Sequence, residues 1–283
     1  AQLLAEVLGS QLAIPRRPVP EPNRPLPFVP GELEGRLNSR ILPSTFTVID
    51  DPTQKDFQGR ELAGHYLVDI EGVRPKPLTV IEGGALKSYL TSRQPNKFST
   101  ESNGRARIPG AFGHKLPAIS NLFVQSTDGV AASELKARLL TMVKDRSKPY
   151  GIIIRKMDFP SSASPDELRR LAAALAGSAG SSVISSPLLA YRLYPDGREE
   201  LIRGVRFRGL SVRSLKDILA SSTERYQFDF MGNGAGFALQ GAGSYVYLAS
   251  VVAPALLFED LELERPQIDY PRLPTVPPPP LTR

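Results

Sequence analysis

Few residues in this chain have the type and spacing that chemistry needs. Glu6 is the only ionisable side chain in an apolar-patterned opening, Ala1-Gln-Leu-Leu-Ala-Glu-Val-Leu-Gly-Ser10. His65 and His114 are the only histidines. As metal ligands they would need a third donor, and Asp51, Asp69 and Glu71 are the candidates. Hydrogen-bonded or exposed imidazoles are the simpler reading. The chain has no cysteine, which excludes disulfides, thiolate zinc sites and cysteine nucleophiles within it. It also has no Gly-x-Ser-x-Gly elbow. Gly232, Asn233, Gly234 and Gly236 open a glycine-rich loop that runs to Gly243. Such a loop after a strand could cradle a phosphate. No helix pattern follows it and no Lys or Arg lies within it, so a tight turn or cavity lining fits better. Arg206 and Arg208 share one strand face, with Arg203 on the other and Arg213 beyond. No aromatic platform accompanies them, which argues against nucleic acid. The net charge of +6 is scattered along the chain and reads as a solvated basic surface.

The elements that must position these residues are mostly strands. At the start, Leu3, Leu4, Val7 and Leu8 fall on one helical stripe and Gly9 is a stop signal, so the pattern predicts the end of an amphipathic helix. Seven prolines between Pro15 and Pro30 then forbid helix and force an extended run. Phe46–Asp50 reads as a strand that stops at Asp51-Pro52. His65–Glu71 alternates like a strand, with Tyr66, Val68 and Ile70 on one face. Leu78–Glu82 and Ala85–Leu90 form a hairpin around Gly83-Gly84. Residues 93–118 read as loop, and Asn121–Ser126 as a strand. Ala132–Arg146 is a helix with Ser133 as its cap, and Tyr150–Arg155 a buried strand. A second helix opens at Ser164-Pro165 and ends in a small-residue run, in the manner of a surface insertion. Leu188–Tyr194 and Glu200–Phe207 make a hairpin over Pro195-Asp-Gly197. Ser214 caps a short helix over 215–219. Strands follow at Tyr226–Phe230, Tyr245–Leu248 and Ala255–Leu263, with Pro254 as a break. No apolar run is long enough for a transmembrane helix.

The order of these elements resembles the C-terminal half of the TldD/PmbA family, once called modulators of DNA gyrase. The segments that carry the likeness are Val48-Ile-Asp-Asp51, Leu78-Thr-Val-Ile-Glu-Gly-Gly-Ala-Leu-Lys-Ser-Tyr-Leu90, Ser102-Asn-Gly-Arg-Ala-Arg107, Ile119-Ser-Asn-Leu122 and the 191–206 hairpin. The resemblance implies an α+β, β-rich domain of mostly antiparallel strands with a few short helices. It implies a dimer, with itself or with a TldD-like subunit, around a shared cavity. It also implies an N-terminal domain, so residues upstream are expected to be cleaved, absent or on another chain.

In the family's active metallopeptidases a His-Glu-x-x-x-His helix and a late-loop cysteine bind zinc, and the glutamate is the base for zinc-bound water. Matched to that helix, Ala5 fills the first histidine slot, Glu6 the base position and Ser10 the second histidine slot. The cysteine loop should fall near Gly232–Gly236. All three ligand positions are empty of ligands, as in the PmbA-like members that act as partners to TldD-like ones. The division expected is a remnant of the active-site helix at 1–14, a proline-rich segment at 15–44, the TldD/PmbA-like domain at 45–265 and a proline-rich tail at 266–283. The expected role is a metallopeptidase homologue without bound metal, serving as a structural or peptide-holding partner. An active zinc peptidase completed by a partner chain or an N-terminal region is the alternative, and a basic nucleic-acid-binding module the second. Composition is compatible with cytoplasm or an extracytoplasmic space and chooses neither.

Overall fold

The structure is a computed structural model that describes residues 1–13, 31–94, 96–109, 115–158, 184–233 and 246–265. Helix α1 (Gln2–Val7) passes into a 3-10 helix, Gly9–Leu12. Then come β1 (Phe46–Asp50), β2 (Asp56–Phe57), β3 (Arg60–Glu61), β4 (Leu78–Glu82), β5 (Ala85–Leu86), β6 (Ala106–Pro109), β7 (Lys115–Pro117) and β8 (Asn121–Ser126). Helix α2 (Ala132–Asp145) precedes β9 (Gly151–Met157), β10 (Pro187–Leu193), β11 (Glu199–Ile202) and β12 (Arg206–Arg208). A 3-10 helix, Val212–Asp217, leads into β13 (Ile218–Asn233), β14 (Val246–Phe258) and β15 (Glu262–Glu264).

Six strands form the main sheet in the order β13-β14-β8-β1-β4-β5, and β11-β10-β9 form a second sheet. All pairings are antiparallel except β14 with β8. The fold is thus β-rich α+β, as the element order implied. The two faces of the main sheet differ. Phe46 and Val48 of β1, Val124 of β8 and Ala249, Val251 and Ala253 of β14 join Leu4, Val7, Leu8 and Leu12 in one buried cluster. Period-two alternation sends Thr47, Ile49, Phe123, Gln125 and Val252 to the other face. The β4–β5 turn needs both glycines: Gly83 and Gly84 have φ of 53° and 74°, and a Cβ on Gly84 would lie 2.3 Å from the Leu42 carbonyl oxygen.

Several local expectations change. No strand forms over 65–71, because Asp69 takes backbone N–H groups of Glu71 and Val73 that a ladder would have used. β5 stops at Leu86. Ser133 does not cap α2, whose N-cap is Ala131. Ser211, not Ser214, caps the 3-10 helix, and Ser214 returns the bond to the Ser211 N–H, closing a capping box. Ile152, Ile153 and Ile154 are half-buried. The run after Glu200 breaks before Arg206, and β12 pairs instead with β15. β14 runs unbroken through Pro254, which stands opposite Arg225 at a bulge of β13, where its missing N–H is tolerated. The second helix, His114, the loop from Gly234 onward, most of the first proline-rich stretch and the tail lie outside the described residues. No described helix is long and apolar enough to cross a membrane.

Candidate functional site

Leu4, Val7 and Leu8 hold α1 on the sheet, and Ala5 goes into the core with them at 6% exposure. Glu6 points instead at the residues that bound β9 and β10. Ser185 donates its N–H to Glu6 Oε2 and its hydroxyl to Oε1, both at 2.8 Å. Gln2, one turn earlier, donates its amide to Glu6 Oε1 at 2.9 Å and to the Asp158 carbonyl at 2.7 Å. Both carboxylate oxygens are engaged, and all the donors are neutral. Burial pushes the Glu6 carboxyl above its ordinary value, against the hydrogen bonds of Gln2 and Ser185. The base position of the resemblance therefore ties α1 to the second sheet.

Ser10 lies in the 3-10 helix Gly9–Leu12, and its side chain is outside the described set. Gly232 belongs to strand β13, where it pairs with Tyr247. A Cβ there would come within 2.2 Å of the Tyr247 ring, so the glycine makes room for that side chain. Burial pushes the Tyr247 phenol up to about 12. Asn233 ends β13 opposite Val246, and Gly234 and Gly236 lie outside the described residues.

Sequence reasoning missed a second polar cluster, built on the ends of β1, β6 and β8. Arg105 is 1% exposed, and its Nε donates to Asp50 Oδ1 at 3.0 Å. Its Nη2 donates to the carbonyls of Asp50 at 2.8 Å and Lys76 at 2.6 Å, and its Nη1 to that of Asn103. Ser120 donates its N–H to Asp50 Oδ2 and its hydroxyl to Oδ1, both at 2.7 Å. Asp69 accepts from the N–H groups of Glu71 and Val73 at 2.9 Å and of Ala106 at 3.1 Å. Beside it Tyr66 donates to the Gly104 carbonyl at 2.7 Å, and Arg107 lies 4.4 Å over the Tyr66 ring and donates to the Leu248 carbonyl at 2.6 Å. Burial raises the Tyr66 phenol well above its ordinary value. Such a saturated network can clamp strands together but offers no free group for chemistry. The available signal was a set of charged residues placed where apolar strands begin or stop.

A family model of the PmbA/TldA metallopeptidase C-terminal domain matches residues 30–157. Residues 30–157 belong to the PmbA/TldD family. Curated relatives match part of the chain as well. A protein named metalloprotease from Archaeoglobus fulgidus is 40% identical over 78 residues, 28% of this chain. One of the same name from Methanothermobacter thermautotrophicus is 37% identical over 98 residues, 34% of this chain. The matches span only 17% and 20% of those relatives' lengths. In fold, a Thermotoga maritima protein described as a candidate modulator of a DNA gyrase gives a TM-score of 0.51 at 16% identity, covering 83% of this chain and 42% of that one. TldE from Thermococcus kodakarensis gives 0.51 at 15% identity, covering 82% of this chain and 42% of its own.

Asp50, Asp69, Arg105 and Ser120 all fall inside the PmbA/TldD stretch, whereas Ala5, Glu6 and Gly232 fall outside it. At the two positions that the resemblance matches to the first ligand and the base of the zinc helix, little is left to serve a metal site. Ala5 has no donor atom, and Glu6 has spent both oxygens on Gln2 and Ser185. His65 sets Nδ1 2.8 Å from the Pro52 carbonyl oxygen. Among the described residues no three His, Asp or Glu side chains converge as a ligand set. Arg206 and Arg208 face Glu264 and Glu262 across the β12–β15 pair, at 2.8 and 3.6 Å, so their charge is locally compensated.

Proposed function

We propose that this chain is a PmbA/TldD domain that holds no metal of its own and acts as a non-catalytic structural or peptide-holding partner in a dimer, with itself or with a TldD-like subunit. One observation carries the reading. The helix that resembles the metallopeptidase helix has its first ligand position buried as Ala5 and its base position, Glu6, committed to Ser185. A carboxylate with both oxygens engaged, beside a ligand position whose side chain has no donor atom, is poorly placed to act as base for a metal-bound water. The likeness in fold to TldE supports the TldD-family partnership. β13 ends the main sheet on one side, and an extended peptide would add at such an edge by main-chain hydrogen bonds, whereas the β5 edge is already bonded to the backbone of Asn38, Ser39 and Ile41.

The curated relatives named metalloprotease favour a second reading, in which a partner chain or an N-terminal region completes an active zinc site. Elemental analysis of the purified chain, joined to hydrolysis of unfolded peptides with and without chelator, separates the two. The expected result is less than a tenth of a zinc per chain, on the order of background, and no cleavage by the chain alone. Stoichiometric zinc together with chelator-sensitive cleavage would sink the first reading. Activity that appears only after a TldD-like subunit is added would leave the partner role standing.

A further inference from the structure

The face of the main sheet turned away from α1 carries a groove. Ile49, Phe57, Pro77 and Phe123 form its apolar walls around a volume of about 260 Å³. That is below the roughly 300–1,000 Å³ of sites for drug-sized ligands. Two charged residues line it as well, Asp51 and Arg225.

Each is presented by the backbone for a physical reason. β1 alternates, so Ile49 points into the groove, Asp50 into the buried clamp, and Asp51 back to the groove side. The β13 register shifts between Ser221 and Arg225, and a bulge of this kind re-aims the side chain that follows it. The Arg225 guanidinium lies 5.1 Å over the Phe57 ring, and no carboxylate among the described residues pairs with it. Asp51 Oδ1 accepts from the Thr53 N–H at 2.9 Å and from its hydroxyl at 2.6 Å, while Oδ2 has no partner among the described residues. A cation and an anion therefore share one small, half-apolar recess without neutralising each other. The exposed amides of Gln54 and Gln125 line it too. A second lobe of about 250 Å³ shares Gln125 and Arg225 with it and is bordered by Ser126, Ser222 and Pro254.

We propose that this groove binds a small zwitterion with an apolar side chain, a free amino acid or a dipeptide. Arg225 takes the α-carboxylate, Asp51 the α-ammonium, and Phe57 and Phe123 the side chain. A simple anion or a simple cation would satisfy only one of the two charges. The groove lies across the sheet from Glu6, so this inference does not rest on the metal-free reading.

Titration calorimetry on the full chain with leucine, Leu-Leu, N-acetyl-leucine and leucinamide tests it. Saturable binding of leucine or Leu-Leu is expected, weakened about tenfold or more when either end is capped, as for loss of a hydrogen bond to a charged group. Stronger binding of Leu-Leu assigns the second lobe to a second residue, and stronger binding of leucine confines the ligand to the first. Arg225→Gln should weaken the zwitterion by a similar factor and leave leucinamide unchanged. Should that variant not fold, Gln125→Trp at an exposed position fills the groove and should abolish binding. Absence of saturable binding, capped ligands that bind as tightly, or full affinity in a folded Arg225→Gln chain would each overturn the proposal.

Discussion

Glu6 and Asp50 are held in nearly the same way, yet they do different jobs. Each receives the N–H and the hydroxyl of one serine, Ser185 for Glu6 and Ser120 for Asp50. Asp50 also receives the Arg105 guanidinium, in a site where both are essentially inaccessible to water. Glu6 receives only the Gln2 amide, at a half-buried position. The guanidinium meets the charge of Asp50 where water cannot, so that site can be dry. Glu6 lacks a countercharge, and burial shifts its carboxyl upward. A buried carboxylate with a saturated, oppositely charged neighbourhood is a strut. One with neutral partners is a weaker tether, even at the position that the resemblance matches to a catalytic base.

The largest effect should come from breaking the strut. Arg105→Ala leaves Asp50 buried and unpaired and should cost about 3–5 kcal/mol in urea unfolding. A loss no larger than that of Glu6→Gln would erase the distinction. Ala5→His asks the core to accept an imidazole at a position with 6% exposure. It should cost about 1–3 kcal/mol by overpacking, and the variant should take up no zinc by elemental analysis. Glu6→Gln places an amide before the two Ser185 donors and should cost about 1–2 kcal/mol at neutral pH.

The same variant reports on the charge. The folded Glu6 carboxyl titrates above its ordinary value of 4.5, so within that window the folded chain holds more proton than the unfolded one. The Glu6 contribution therefore falls as pH rises through the window. The stability of the unsubstituted chain minus that of Glu6→Gln should grow as pH drops toward 4.5, which paired melts across the range would read. The smallest effect sharpens the contrast from the other side. Gln2→Arg lends Glu6 a cation one turn away, as Arg105 does for Asp50. It should add about 0.3–0.5 kcal/mol and lower the Glu6 carboxyl titration seen by NMR.

The two regions also differ in how legible they were. The 48–51, 102–107 and 119–122 segments stood out as sequence, and the fold brings them together as Asp50, Arg105 and Ser120. Their convergence was hidden because the bonds span 55 and 70 residues of chain. Ser185 was hidden for the same reason, since it reaches Glu6 across 179 residues. Local errors had local causes. Asp69 captured the N–H groups of an alternating stretch, and the bulge opposite Pro254 let β14 continue where proline suggested a stop.

Hydrophobic spacing in the chain by itself determined α1, α2, β1, β4 and β8 and the β-rich character of the domain, because the periods of 3.6 and 2 are written in neighbouring residues. The absence of cysteine, and of histidine at positions 5 and 10, likewise followed from composition alone. Only the tertiary structure decided what the remaining polar side chains do. Whether a carboxylate is base, tether or strut depends on which donors reach it and how much water is left. Those are properties of the space around it, supplied by residues far away along the chain.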